Sequence, residues 1–189
     1  MRYDIALRGV GGQGGIAISV IIAKAAMAEG LKVKQSEVHG MSQRGGEVSA
    51  FLRLSDKDPS SPMIPKGSAD LILAFEPLEA LRSLPWLKPD VGRIISAASP
   101  FKNIPNYPDT EAMLSELKAM PRTMVVDADR LAKEAGNAKT ANAVLVGVAA
   151  RYLPIKAESL EAALREQFAS KGEAIVEANL KAFALGRAL

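Results

Sequence analysis

Two glycine-bearing segments hold most of the chemistry this sequence could do. The first is Gly9-Val10-Gly11-Gly12-Gln13-Gly14-Gly15, in which Gly9, Gly11 and Gly14 fit a GxGxxG spacing. Glycines allow a tight turn and a close backbone approach, and a helix starting there offers free N–H groups and a partial positive charge to an anion. On spacing alone the ligand would be a dinucleotide or another phosphate. The plainer reading is a turn that lets a helix pack tightly on its strand. The second segment is Ser36-Glu37-Val38-His39-Gly40-Met41-Ser42-Gln43-Arg44-Gly45-Gly46. Arg44, followed by Gly45 and Gly46, could offer a guanidinium and adjacent amides to a carboxylate or phosphate, or an ion pair to a neighbouring subunit. His39 could move a proton near neutrality, or be an ordinary hydrogen-bonded loop residue. Glu37 lies close to where a ribose-binding acid would close the second strand of a dinucleotide fold. The ligand-contact candidates are therefore Gly9, Gly11, Gly12, Gln13, Gly14, Glu37, His39, Ser42, Arg44, Gly45 and Gly46. No catalytic residue stands out, because no serine sits in a nucleophile setting and any triad would have to use His39. Glu79 and Arg82 are three apart and read as an intrahelical ion pair, Glu76 ends a strand, and Asp127 and Asp129 read as helix caps.

The elements that must position these segments follow from periodicity. Residues 3–8 have the length and bounding glycines of a strand, and the glycine-rich turn then opens a helix over 16–30 with Gly30 as its stop. Residues 31–35 alternate like a second strand. Residues 48–54 form a third, with Val48, Ala50, Leu52 and Leu54 on one face and Ser49, Phe51 and Arg53 on the other. A Pro/Ser/Asp-rich loop over 56–65 precedes the near-continuous apolar run 70–75, a strand covered on both faces. A helix over 76–84 has Pro77 in its first turn, where proline is tolerated. Short strands at 93–96 and 123–126 flank a helix around 109–119, and the last third reads as helical: 127–135, 140–152 and 158–186, with a break near Lys171-Gly172. The expectation is a single α/β domain over 1–189: a Rossmann-like, mostly parallel sheet with flanking helices and a helical C-terminal segment. The polar segment between the second and third strands is expected at the carboxyl edge of that sheet, beside the glycine-rich turn.

Composition removes several classes of function. There is no cysteine and a single histidine, so thiolate-held iron–sulfur clusters, Cys-rich zinc sites and cysteine nucleophiles are excluded from these 189 residues. Aromatic residues make up 5% of the chain, and the surplus of 24 Lys and Arg over 21 acids is scattered, which argues against a nucleic-acid or membrane partner. The first residues lack a signal-peptide pattern, and no apolar run reaches the ~18 residues of a membrane span. A soluble, cytoplasmic protein without its own redox or metal centre is the expectation.

Taken together, the two glycine segments resemble the gamma-type domain of pyruvate and other 2-oxoacid:ferredoxin oxidoreductases, with the beta subunit of the indolepyruvate type as the nearest form. Further pieces fit in order: Ser61-Pro62-Met63-Ile64, Gly67-Ser68-Ala69-Asp70, Glu76 through Glu79-Ala80 and Arg82, Asn142 with Leu145-Val146-Gly147, and Glu177-Ala178-Asn179 with Ala182-Phe183 and Gly186. The resemblance implies a small, cluster-free subunit whose large alpha partner carries thiamine diphosphate and iron–sulfur clusters. The complex would oxidatively decarboxylate an aryl 2-oxoacid, reduce ferredoxin and release an aryl-acetyl-CoA. It supplies no catalytic residue for this chain, which would complete the complex and shape its substrate or coenzyme A side. The alternatives are a free-standing NAD(P)-binding Rossmann oxidoreductase and a regulatory or scaffold domain that kept the fold and lost the complex. Which oxoacid is used, and the stoichiometry, are not legible at this level.

Overall fold

The computed structural model describes residues 1–39 and 45–189. Six strands form one sheet: β1 (Arg2–Val10), β2 (Lys32–His39), β3 (Glu47–Ser55), β4 (Leu71–Ala74), β5 (Arg93–Ala97) and β6 (Thr123–Val126), in the spatial order β2-β3-β1-β4-β5-β6. Seven helices accompany them: α1 (Gly15–Ala28), α2 (Pro77–Arg82), α3 (Thr110–Ala119), α4 (Ala128–Glu134), α5 (Ala141–Ala150), α6 (Ala157–Phe168) and α7 (Glu173–Arg187). The elements fall where periodicity puts them. β2 alone extends well past its expected end, continuing through His39.

The sheet is mixed. β1, β4, β5 and β6 pair in parallel, whereas β3 is antiparallel to both β1 and β2. Most of the sheet is parallel, as the alternation of strands and helices leads one to expect, and the antiparallel β3 has a simple cause. Only residues 40–46 separate β2 from β3, and a parallel return needs a crossover of a dozen residues or more, so β3 must run back. β3 is thereby inserted between β1 and β2.

The period of two along the strands sorts side chains to the two faces. Ile5, Leu7, Leu52, Leu54, Leu71 and Leu73 meet α1 and the C-terminal helices, while Ala6, Phe51, Ile72, Ala74 and Ile94 pack with Leu117 of α3 and Ala80 of α2. The large core is closed by α5 crossing α7 at two glycines. A Cβ on Gly147 would lie 2.1 Å from the Phe183 carbonyl oxygen, and one on Gly186 would lie 2.0 Å from that of Val144. The C-terminal part of the family-like pattern is thus a packing requirement. No helix among the described residues is long and apolar enough to cross a membrane.

Candidate functional site

Both glycine segments arrive at the same edge. The carboxyl end of β1 leads into the glycine-rich turn, and the register Val10↔Glu47 and His39↔Val48 brings both ends of the 40–46 connection beside it. Two backbone bonds join them: Gly11 N–H donates to the Gly46 carbonyl at 2.8 Å, and Gly45 N–H donates to the Gly11 carbonyl at 3.3 Å. The Asn103 carboxamide adds a third tie, donating to the Gly45 carbonyl at 2.7 Å. Of the candidate residues, Gly40 to Arg44, and so Ser42 and Arg44, lie outside the described residues, as does the His39 side chain.

The turn owes its shape to side-chain anchors as well as to its glycines. Gln13 bridges two strand ends: its Oε1 accepts from Val10 N–H at 2.8 Å, and its Nε2 donates to the Phe75 carbonyl, just past β4, at 3.1 Å. Asn142, at the start of α5, donates to the Gln13 carbonyl at 2.6 Å. Gly14 takes the left-handed φ of 79° that ends the turn, and a Cβ on Gly15 would sit 2.8 Å from the Phe75 ring.

This arrangement bears on the two readings of the GxGxxG spacing. In a dinucleotide fold the ligand crosses the crevice at the carboxyl ends of the strands where the order reverses, which here lies between β1 and β4. Gln13 and Phe75 meet at that position, and with Ser99, Asp129 and Asn142 they line an open cavity of about 280 Å³. Glu37 cannot serve as the ribose acid, because β3 stands between its strand and β1, placing it two strand spacings, about 10 Å, away; it is exposed, and its carboxylate accepts from Gln35 at 2.6 Å. A second pocket, of about 390 Å³, lies on the other side of the turn, between Gly11, Gly12, Gly14, Gly15 and Ile16 and Val48. The start of α1 has no side-chain cap and no acidic residue in its first turn, so the amides of Gly15 and Ile16 have no intrahelical acceptor. Such a pocket suits an anionic group, held by backbone donors and the helix dipole.

On the opposite sheet face the same edge holds a buried charged cluster that periodicity did not single out. Arg8 is 2% exposed, and its guanidinium lies against the rings of both Phe51 and Trp86, at 4.7 and 4.3 Å from their centroids. Its Nη1 donates to the Ser49 hydroxyl and is 3.6 Å from a Glu47 carboxylate oxygen. Burial lowers the Arg8 pKa, opposed by the charges of Glu47 and Glu79. Glu79 pairs with Arg82 at 2.7 Å as expected, yet it is 1% exposed, not a surface ion pair. Burial lifts its carboxyl above the usual range, Arg82 works against that rise, and Glu47 adds to it. Glu76 caps α2, accepting from Glu79 N–H at 2.7 Å and Leu78 N–H at 3.2 Å, and also accepts from the Tyr107 hydroxyl. Burial and that bond raise the Tyr107 pKa. One sequence signal pointed to Arg8: Asp4 and Arg8 share a face in an otherwise apolar strand, and inward charges of that kind need partners. Asp127 caps α4 as expected, accepting from Arg130 N–H at 3.1 Å, whereas Asp129 accepts from Ser99. Among the described residues no cluster of three or more acidic or histidine side chains could hold a metal ion.

Comparison with known proteins identifies the family and the fold. The model of the pyruvate ferredoxin/flavodoxin oxidoreductase family matches residues 4–189. The indolepyruvate oxidoreductase subunit IorB of Archaeoglobus fulgidus is 41% identical over 194 aligned positions, covering 98% of this chain and 94% of that one. Among solved structures, the keto/oxoacid ferredoxin oxidoreductase gamma subunit of Geobacter sulfurreducens superposes with a TM-score of 0.70 at 26% identity, covering 97% of this chain and 95% of that one. The 2-oxoglutarate:ferredoxin oxidoreductase of Magnetococcus marinus, described with 2-oxoglutarate, coenzyme A and succinyl-CoA bound, shares the fold at a TM-score of 0.76 and 22% identity, over 99% of this chain and 30% of that one.

Proposed function

The chain belongs to the pyruvate ferredoxin/flavodoxin oxidoreductase family and is a subunit of a 2-oxoacid:ferredoxin oxidoreductase, and from that premise we propose that it is the small subunit of an enzyme acting on aryl 2-oxoacids of the indolepyruvate class. In this reading the large partner subunit holds thiamine diphosphate and the iron–sulfur clusters. The chain itself has no cysteine with which to ligate a cluster. Coenzyme A is the co-substrate, and an aryl-acetyl-CoA is the product as ferredoxin is reduced.

The observation that supports this most is the convergence of both glycine segments on one open edge. That edge offers backbone donors to an oxyanion, and in this reading it binds and positions a ligand whose bonds are broken on the partner. The first glycine turn, with Gly45, Gly46 and Arg44, is the contact set we assign to the phosphates of coenzyme A or the oxoacid carboxylate; Glu37, His39 and Ser42 are its outer candidates.

The test is reconstitution. The chain and the large subunit are co-produced and supplied anaerobically with arylpyruvate and coenzyme A, and reduction of ferredoxin or a viologen dye is followed. Turnover that requires both chains and prefers arylpyruvates over pyruvate and 2-oxoglutarate is expected. Turnover by the large subunit alone, or a preference for pyruvate, would overturn the respective part of the reading.

A further inference from the structure

Arg8 presents an unusual set of contacts for a buried arginine. Its Nη1 is engaged, but its Nε and Nη2 have no partner, and neither does Glu79 Oε2. Nε and Nη2 are the two donors of the side-on fork by which a guanidinium grips both oxygens of a carboxylate. Buried polar atoms are rarely left so, and those that are call for a reason beyond packing.

The register supplies one. β3 alternates, so Glu47 and Ser49 point to the face that carries Arg8, and Val48, between them, points to the other and lines the pocket beside the glycine turn. Arg8 holds the residue on each side of Val48, through Ser49 and through the charge of Glu47. One position further on, Gly46 accepts from Gly11. Its guanidinium is itself fixed by the Phe51 and Trp86 rings.

We propose that Arg8 is a positioning residue for the carboxyl edge: by fastening Glu47 and Ser49 it fixes Val48 as the β3 wall of the pocket and steadies the adjoining Gly45–Gly46 backbone. The cation acts from the opposite face of the sheet and touches no ligand. Its functional consequence rests on the reading of the pocket as a ligand site, whereas its structural consequence does not.

The experiment has two readouts. The first is hydrogen–deuterium exchange on the full chain, wild type against Arg8→Met, which keeps the volume against the rings and removes the charge. The proposal expects exchange at residues 45–49 to rise by about tenfold or more while residues 50–55 and β1 keep their protection, with Arg8→Lys falling between. Unchanged exchange at 45–49, or a rise spread evenly over the sheet, would overturn it. The second is steady-state kinetics of the reconstituted complex, where Arg8→Met should raise the KM for coenzyme A or the oxoacid about tenfold and leave kcat within about twofold. Equal losses in kcat with unchanged KM contradict positioning of this wall. If Arg8→Met does not fold, Glu47→Gln and Ser49→Ala carry the same test from the other side of the contact, and unaltered exchange at 45–49 in both overturns the proposal. A wild-type complex without turnover removes the reading of the pocket but leaves the exchange result to decide the role of Arg8.

Discussion

Two buried arginines lie on the same face of this sheet, one at each end of the β1–β3 pair, and they are held in opposite ways. Arg53 pairs with Asp4 at the amino end. Its fork is filled by both Asp4 oxygens at 3.0 and 3.3 Å, and its Nη1 donates to the carbonyls of Ser61 and Met63, both at 2.9 Å. Arg8, opposite Ser49 at the carboxyl end, has its fork unpartnered. A saturated buried arginine ties a loop to a sheet and has no capacity left over. An unsaturated one sits where the structure serves something besides its own stability. The amino end of this sheet therefore holds the fold together, and in our proposal the carboxyl end shapes a site.

That contrast can be broken most severely at the saturated end. Asp4→Ala strands Arg53 as an uncompensated buried charge and should cost about 3–5 kcal/mol, read as a large fall in the thermal or urea midpoint. A loss under about 1 kcal/mol would mean that the amino end is not the structural anchor. Next in size is Gly186→Ala, which drives a methyl into the Val144 carbonyl and should cost about 3 kcal/mol by forcing α5 and α7 apart. Asn142→Ala removes the bond to the Gln13 carbonyl, with an expected loss of about 1 kcal/mol and a larger effect on ligand affinity than on the melting point. Equal and small effects on both would separate Asn142 from the site.

The smallest expected effect is a pH slope. Because burial raises the Glu79 pKa in the folded chain, the native state holds that proton more tightly than the unfolded one. Its contribution is present below the unfolded carboxylate pKa and is lost as pH rises through the raised value. Glu79→Gln should flatten the stability profile across that interval, as chemical denaturation at several pH values would show; an unchanged slope would assign the titration elsewhere.

Much of this was legible in the chain itself. The period of two in β3 correctly assigned Ala50, Leu52 and Leu54 to one face and Phe51 and Arg53 to the other, and the glycine turn opened a helix where its spacing required. The direction of β3 was less so: with the second strand ending at residue 35, twelve residues could carry a parallel crossover, and only the extension of β2 to His39 shortens the connection to seven. The functional meaning of GxGxxG was not legible. Spacing shows that a turn can approach a phosphate, but not that Gln13 reaches Phe75 across the crevice where a dinucleotide would lie, a matter of residues 62 positions apart. Arg8 was hidden for the same reason. Alternation reveals that it faces inward with Asp4, while its partners lie 39 and 41 residues further along the chain, on a strand whose direction had first to be known.

The central claim is that the carboxyl edge positions a ligand for chemistry done on the partner subunit. Its most direct test is ferredoxin or viologen reduction by the reconstituted complex carrying Arg44→Ala, with the melting temperature of the variant chain measured alongside. The account predicts a variant that assembles and melts like wild type, and a fall of about tenfold or more in kcat/KM for arylpyruvate with coenzyme A. Wild-type turnover from that variant, or turnover that does not need this chain at all, would contradict it.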